Sequence, residues 1–148
     1  MLKITDQLPS FKTVDQNEKE VTDQNLKGRK AVLYFYPKDD TPTCTVEACN
    51  IRDNYHRFLA EGYVVYGISP DSAKKHQKFI GKFKLPFDLL VDVNLELANA
   101  FGVWGEKTTF GRTYMGIKRT TFVVGEDGRI TDVIEQVKSK IHSEQILG

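Results

Sequence analysis

The sequence predicts an α/β sandwich with a mixed central sheet, and three observations carry that expectation. Two uninterrupted apolar runs, KAVLYFY at 30–36 and YVVYGIS at 63–69, read as buried strands. Segments after each run place apolar residues at helical spacing. Two further β-rich runs, 115–124 and 130–137, flank the turn-forming EDG at 126–128.

Taken in order, the chain opens with a polar, turn-rich stretch to Gly28, where short edge strands are expected around Phe11 and Val21. A helix is expected over 43–60, because Ala48, Ile51, Tyr55 and Phe58 share one helical face. A second is expected over 71–83, with Ala73, His76, Phe79, Ile80 and Phe83 on one side, and a shorter third over 94–101. The closing helix after Ile141 is very short. This order of strand, helix, strand, helix and hairpin resembles the thioredoxin fold. The resemblance implies one thioredoxin-like domain over 1–148, its mixed central sheet flanked by helices and preceded by a short N-terminal β extension.

Composition bounds what such a domain can do. A chain of 148 residues holds one sizeable core. Lys plus Arg number 21 against 20 Asp plus Glu, a balance that gives no electrostatic reason to expect nucleic acid or an anionic membrane surface as partner. The longest apolar run, 31–36, is far short of the ~20 residues of a membrane span. No basic start followed by an apolar run marks a secretory signal, so a cytoplasmic location is expected.

The two cysteines, Cys44 and Cys49, are too few for a structural disulfide framework. Two nearby thiols then read as catalytic, redox-active or metal-binding. Zinc needs about four protein ligands, or three and a water. His56, His76 and His142 are scattered, so no metal site is expected, and no cofactor.

The stretch YPKDDTPTCTVEACNIRD, 36–53, leaves the first strand and opens the first helix. Thr41 suits the N-cap and Pro42 the first helical position, which makes Cys44 the third. The unpaired N–H groups of a first turn favour a thiolate beside them. Cys44, Ala48, Ile51 and Tyr55 fall on one face, so Cys44 heads the buried side at the rim of the core. A small apolar Cys filling a core gap is the bland alternative.

The pattern P-x-x-x-T-x-x-C formed by Pro37, Thr41 and Cys44 resembles the peroxiredoxin active-site signature. The Cys44-x4-Cys49 pair is similar to that of the PrxQ, or bacterioferritin comigratory protein, subfamily. FGVWGEK at 101–107 and YMGIKRTTFVV at 114–124 support the resemblance, which covers nearly the whole chain. It implies a thiol-dependent peroxidase acting on hydrogen peroxide and organic hydroperoxides. Cys44 would be the peroxidatic nucleophile that becomes a sulfenic acid. Thr41 would hydrogen-bond thiolate and peroxide, Pro37 would shield the thiolate from water, and Arg119 would sit beside it. Cys49 would resolve the sulfenic acid as an intramolecular disulfide, recycled by thioredoxin or a similar thiol reductant. The subfamily resemblance also suggests a monomer.

From the residues alone, Arg119 alternates with Ile117, Thr121 and Val123 on an expected strand face. An Arg there needs an anion, and either the Cys44 thiolate or Glu47 would serve; Arg112 is a weaker candidate. His56 reads as a solvated helix residue, and Asp39 and Asp40 as turn chemistry. Thiol acidity cannot account for peroxidase activity. A thiol whose pKa drops from ~8.5 to ~6 gains about 30-fold in thiolate at pH 7. It loses roughly 13-fold in nucleophilicity, if the slope for disulfide exchange transfers. The larger contribution should come from donors aimed at the peroxide oxygens, with Thr41, Arg119 and the first-turn N–H groups on offer.

The spacing also creates a conflict. In an intact helix, residues five apart have Cα atoms ~8.7 Å apart and ~140° out of phase. A disulfide needs about 4.4–6.8 Å and facing Cβ atoms. Resolution therefore requires the first turns of the helix to unwind, with Cys49 facing away from the Cys44 pocket while reduced. Two competing readings share these residues. One is a thiol–disulfide oxidoreductase, opposed by the missing Cys-x-x-Cys. The other is a redox sensor that signals by the same unwinding.

Overall fold

A computed structural model describes all 148 residues. Its centre is a five-stranded sheet in the order β5-β4-β3-β8-β9. The strands are β3 (Lys30–Phe35), β4 (Tyr63–Ser69), β5 (Asp88–Val91), β8 (Thr120–Val124) and β9 (Ile130–Ile134). β3 pairs parallel to β4 and antiparallel to β8, and β4 and β5 are parallel, so the sheet is mixed as the sequence predicts. A two-stranded extension, β1 (Lys12–Val14) with β2 (Glu20–Thr22), precedes it, followed by the single turn α1 (Asp23–Leu26).

β3 explains why its sequence is apolar without interruption. Ala31, Leu33 and Phe35 enter one core, and Val32 and Tyr34 enter the other. The first core is closed by α5 (Glu96–Phe101), through Leu97, Ala98 and Phe101. The second is closed by α2 (Pro42–Asp53), α3 (Tyr55–Ala60) and α4 (Ala73–Phe83), through Cys44, Ala48, Ile51, Phe58 and Phe79. Gly67 sits where Tyr34 crosses β4. A Cβ there would stand 2.9 Å from the Tyr34 hydroxyl and 2.7 Å from Leu89, so the ring's path requires glycine.

Three differences from the sequence reading have physical causes. The helix expected over 43–60 is two helices, broken at Asn54 (φ −111°, ψ 11°). The Asn54 side chain donates to the Asn50 carbonyl at 2.9 Å and competes with the helical ladder. The helix expected from Asp71 begins at Ala73, where Ser72 accepts from the Lys75 N–H. The strand expected over 115–124 divides. β7 (Arg112–Ile117) pairs with β6 (Trp104–Thr109) in a separate hairpin, and only β8 joins the central sheet. The Lys118 N–H bonds to the Val103 carbonyl at 2.7 Å, one step beyond the Trp104–Ile117 pair of the hairpin, and pairing with β3 begins only at Thr120, so the chain changes sheets at Lys118 and Arg119, which lie in neither strand. β5 and β6 went unpredicted, β5 because four residues are too few to show a period. The chain closes with a 3-10 turn at Ser139–Ile141 and α6 (His142–Leu147), both packed on α2.

Candidate active site

Cys44 stands where the sequence places it. Thr41 occupies the N-cap in extended backbone and Pro42 the first helical position, making Cys44 the third. The cap operates through the backbone, with the Thr45 N–H donating to the Thr41 carbonyl at 2.8 Å. The Thr41 hydroxyl donates to the Lys38 carbonyl at 2.8 Å, so its proton is turned into the loop and not toward Cys44. Cys44 is 2% exposed and packs with Ala48 and Ile51, while Cys49 is half-buried. Both are free thiols in one continuous helix. That is the helical state expected of the reduced protein.

Arg119 reaches this sulfur. One guanidinium nitrogen donates to Cys44 Sγ at 3.2 Å and the other to Glu47 Oε1 at 2.7 Å. The sequence reading offered the thiolate and Glu47 as alternatives, and one fork engages both. The expected strand-face setting is corrected: Arg119 lies in the break between β7 and β8. Freed from strand alternation, its side chain crosses to α2. Burial works against the charge of Arg119, and Glu47 and Cys44 outweigh it, so its pKa is held above the ordinary value. Arg112 is exposed on the hairpin, opposite Thr109, and His56 is exposed on α3.

Glu47 is fully buried one turn after Cys44. Burial pushes its carboxyl up to about 7, against the pull of Arg119. Its second oxygen, Oε2, has no hydrogen-bond partner. The nearest base is His142 Nε2 at 3.5 Å, on an equally buried ring from α6. Burial holds the His142 imidazole below its ordinary value. Nothing in the sequence around His142 marks it, because the contact joins residues 95 positions apart.

The loop before α2 is fixed by a second buried histidine. His76 Nδ1 meets Asp39 Oδ2 at 2.6 Å, and Nε2 donates to the Leu90 carbonyl at 2.8 Å. Tyr36 donates to Asp39 Oδ1 at 2.5 Å, and the Asp39 N–H donates to Asp71 Oδ2 at 2.8 Å. Asp39, Asp71 and His76 form a compact cluster of metal-ligand types, but both ring nitrogens of His76 are engaged by protein groups. The reading of Asp39 as turn chemistry is incomplete, since it anchors the loop carrying Pro37 and Thr41. A signal existed: His76 falls on the apolar side of its helix, where an imidazole needs partners. Asp40 is exposed, in left-handed backbone (φ 59°), and pairs with Lys82 at 2.8 Å. Pro37 is half-buried at the start of this loop.

An open cleft of about 400 Å³ lies beside the first turn of α2, lined by Pro42, Thr43, Val46, Val137, Ser139 and Lys140. The site thus joins a buried sulfur at a helix head, a guanidinium donor on it and a carboxylate behind that donor. Such an arrangement can bind a small oxygen-containing electrophile and stabilise charge leaving the sulfur.

Comparison with known proteins agrees with this chemistry. The AhpC/TSA family model matches residues 4–133. A protein of Haemophilus influenzae described as a putative peroxiredoxin bcp is 44% identical over 99% of this chain and 94% of its own. Peroxiredoxin Bcp of Bacillus subtilis is 44% identical over 99% of this chain and 93% of its own. Among solved structures, a cysteine-to-serine mutant of Xylella fastidiosa PrxQ superposes with a TM-score of 0.92 at 32% identity, covering 99% of this chain and 94% of its own. Mycobacterium tuberculosis BcpB gives 0.87 at 33%, covering 99% and 95%.

Proposed function

Since the chain belongs to the AhpC/TSA family and is a peroxiredoxin of the Bcp, or PrxQ, kind, we propose that Cys44 is its peroxidatic cysteine and Cys49 its resolving cysteine. The protein is a thiol-dependent peroxidase with a hydroperoxide substrate and a thiol reductant. The Cys44 thiolate attacks the terminal peroxide oxygen. An S–O bond forms and the O–O bond breaks: the attacked oxygen keeps its proton as the sulfenic acid, and the hydroxide or alkoxide that leaves takes a proton from solvent and departs as water or alcohol. The Cys49 thiolate then attacks the sulfenic sulfur, forming the disulfide and expelling hydroxide, which a proton from solvent converts to water. A dithiol of the thioredoxin class returns both cysteines to thiols.

The observation that carries this reading is the single Arg119 fork on Cys44 Sγ and Glu47. It keeps a donor on the sulfur, where the transition state redistributes charge. Thr41 acts on the peroxide once its hydroxyl rotates away from Lys38 O, and Pro37 keeps water off the sulfur. Continuous helix through Cys44 and Cys49 supports resolution by local unwinding within one chain, and hence a monomer. No helix is long and apolar enough to cross a membrane. The location proposed is the cytoplasm, where thiol reductants of the thioredoxin class return such cysteines to thiols.

Peroxide consumption driven by thioredoxin, its reductase and NADPH tests the reading. Many turnovers are expected, abolished in Cys44→Ser. Consumption that stops near one equivalent would make the protein a sensor, and full activity in Cys44→Ser would remove Cys44 from the chemistry.

A further inference from the structure

Glu47 Oε2 is an unpaired, fully buried carboxylate oxygen two bonds from the oxygen that holds Arg119. A buried polar atom left in this way is costly, and it faces His142 Nε2 at 3.5 Å. The protonation of that ring can be read from its neighbours. Gln145 Oε1 accepts the Lys138 N–H at 2.8 Å, and its amide nitrogen donates to the Gln136 carbonyl at 2.9 Å, so the oxygen faces the ring. His142 Nδ1, 2.8 Å from that oxygen, therefore carries a hydrogen. In the neutral ring Nε2 is then a lone pair, which the Thr121 hydroxyl serves at 2.7 Å. Against Glu47 Oε2 this lone pair is a mismatch. One added proton corrects it, on Nε2 or on Oε2.

The charges around the pair show when that proton is wanted. Cys44 and Glu47 face inward from α2, Arg119 from the break before β8, and Tyr34 from β3; Thr121 and Gln145 are neutral. With Cys44 as a thiol, Arg119 and the Glu47 carboxylate cancel. When Cys44 ionises, a second negative charge appears in a buried site with one guanidinium. A proton kept on Glu47 and His142 restores neutrality. Cys44–SH with an unprotonated pair and Cys44–S⁻ with a singly protonated pair carry the same net charge.

We propose that His142 is a positioning residue of the active site: with Glu47 it holds one proton when Cys44 is a thiolate, which keeps Glu47 bonded to Arg119 and Arg119 on the sulfur. The inference rests on Cys44 being the reacting thiol. It makes the C-terminal segment part of the site through a chain that runs His142, Glu47, Arg119, Cys44.

Proton counting tests it. In a Cys49→Ser background Cys44 is the one thiol, and its thiolate is read by absorbance at 240 nm. Methyl methanethiosulfonate converts a thiolate to a neutral mixed disulfide with sulfinate as the leaving group, so an isolated thiolate releases no proton. At a pH where absorbance shows thiolate, this protein is expected to release close to one proton per Cys44 modified, measured with a pH indicator in weak buffer. Glu47→Gln should bring that release near zero. His142→Gln keeps a hydrogen-bonding amide but takes up no proton. It should lower the release, lower the thiolate absorbance at neutral pH and slow peroxide reduction by ~10-fold, with little change in melting temperature. A purely structural role would be rescued by Gln. Release near zero in the parent, or unchanged release and rate in His142→Gln, would overturn the proposal. Retained peroxidase activity in Cys44→Ser would instead overturn the assignment of the nucleophile.

Discussion

Two buried carboxylate–imidazole pairs take their carboxylate from α2 or from the loop that leads into it, and they are built differently. Asp39 and His76 meet at 2.6 Å, and Tyr36, the Asp71 carboxylate and the Leu90 carbonyl complete their bonds. Glu47 and His142 stand 3.5 Å apart, with one carboxylate oxygen unpaired. Asp39 lies in the loop before α2, and Glu47 lies within α2, one turn past the sulfur. A pair whose every atom is satisfied has one favoured arrangement and suits a scaffold. A pair left one bond short can gain or lose a proton without rebuilding its surroundings. The closed pair therefore fixes where the loop is, and the open pair adjusts what Arg119 does.

The largest effect should follow from breaking the closed pair. His76→Leu stays close to the imidazole's volume but leaves Asp39 Oδ2 and the Leu90 carbonyl without their partner. Each buried acceptor left without its donor costs about 1–3 kcal/mol, to be read as a shifted urea midpoint with an unchanged m-value. A loss below 1 kcal/mol would show that the pair is not the scaffold described.

Arg119→Met severs the open pair from the sulfur. Removing one donor aimed at developing charge costs ~10²–10³ in rate. Stopped-flow peroxide reduction should show this even at a pH where both proteins are fully thiolate. Equal rates there would mean that Arg119 acts only through thiolate fraction.

Glu47→Gln should separate the pairs by pH. Burial raises Glu47 from 4.5 to about 7, so its contribution to stability is fully present below 4.5 and is lost as pH rises through 7. Gln keeps the acceptor for Arg119 and removes this loss. Relative to the parent, the variant should gain stability between pH 4.5 and 7, reaching up to roughly 3 kcal/mol. His142, held below its ordinary value, runs the other way and weakens the parent as pH falls below 6.5. A stability difference that stays flat from pH 5 to 8 would place Glu47 on the closed side of the comparison.

The same contrast explains what the sequence could reveal. The strands at 30–36 and 63–69 and the helix head at Cys44 rest on local pattern, and they stand within a residue of where that pattern puts them. Arg119 was legible as a residue but not in its setting. The apolar, β-branched run around it gives no sign that the chain changes sheets between Ile117 and Thr120. His76 left a trace, as an imidazole on an apolar helical face. His142 left none, because Glu47 and Thr121 come from two distant elements that only the folded chain brings to it.

The smallest effect tests how the open side is released. For Cys49 to reach Cys44, α2 must unwind, which pulls Glu47 from Arg119 and Asn50 from the C-terminal segment. Asn50 donates to the Lys140 carbonyl at 2.8 Å and accepts the Ser143 N–H at 2.8 Å, bonds that exist only while α2 is helical. Asn50→Ala should therefore weaken the helical state by ~1 kcal/mol without touching the peroxide step. Disulfide formation after the sulfenic acid should then speed up by ~5-fold, followed by trapping the sulfenic acid with dimedone at timed intervals and mass analysis. Amide exchange over 43–52 should rise on oxidation in both proteins, and in the reduced state more in the variant. An unchanged resolution rate would mean that the C-terminal segment does not restrain α2, leaving the unwinding cost to the helix alone.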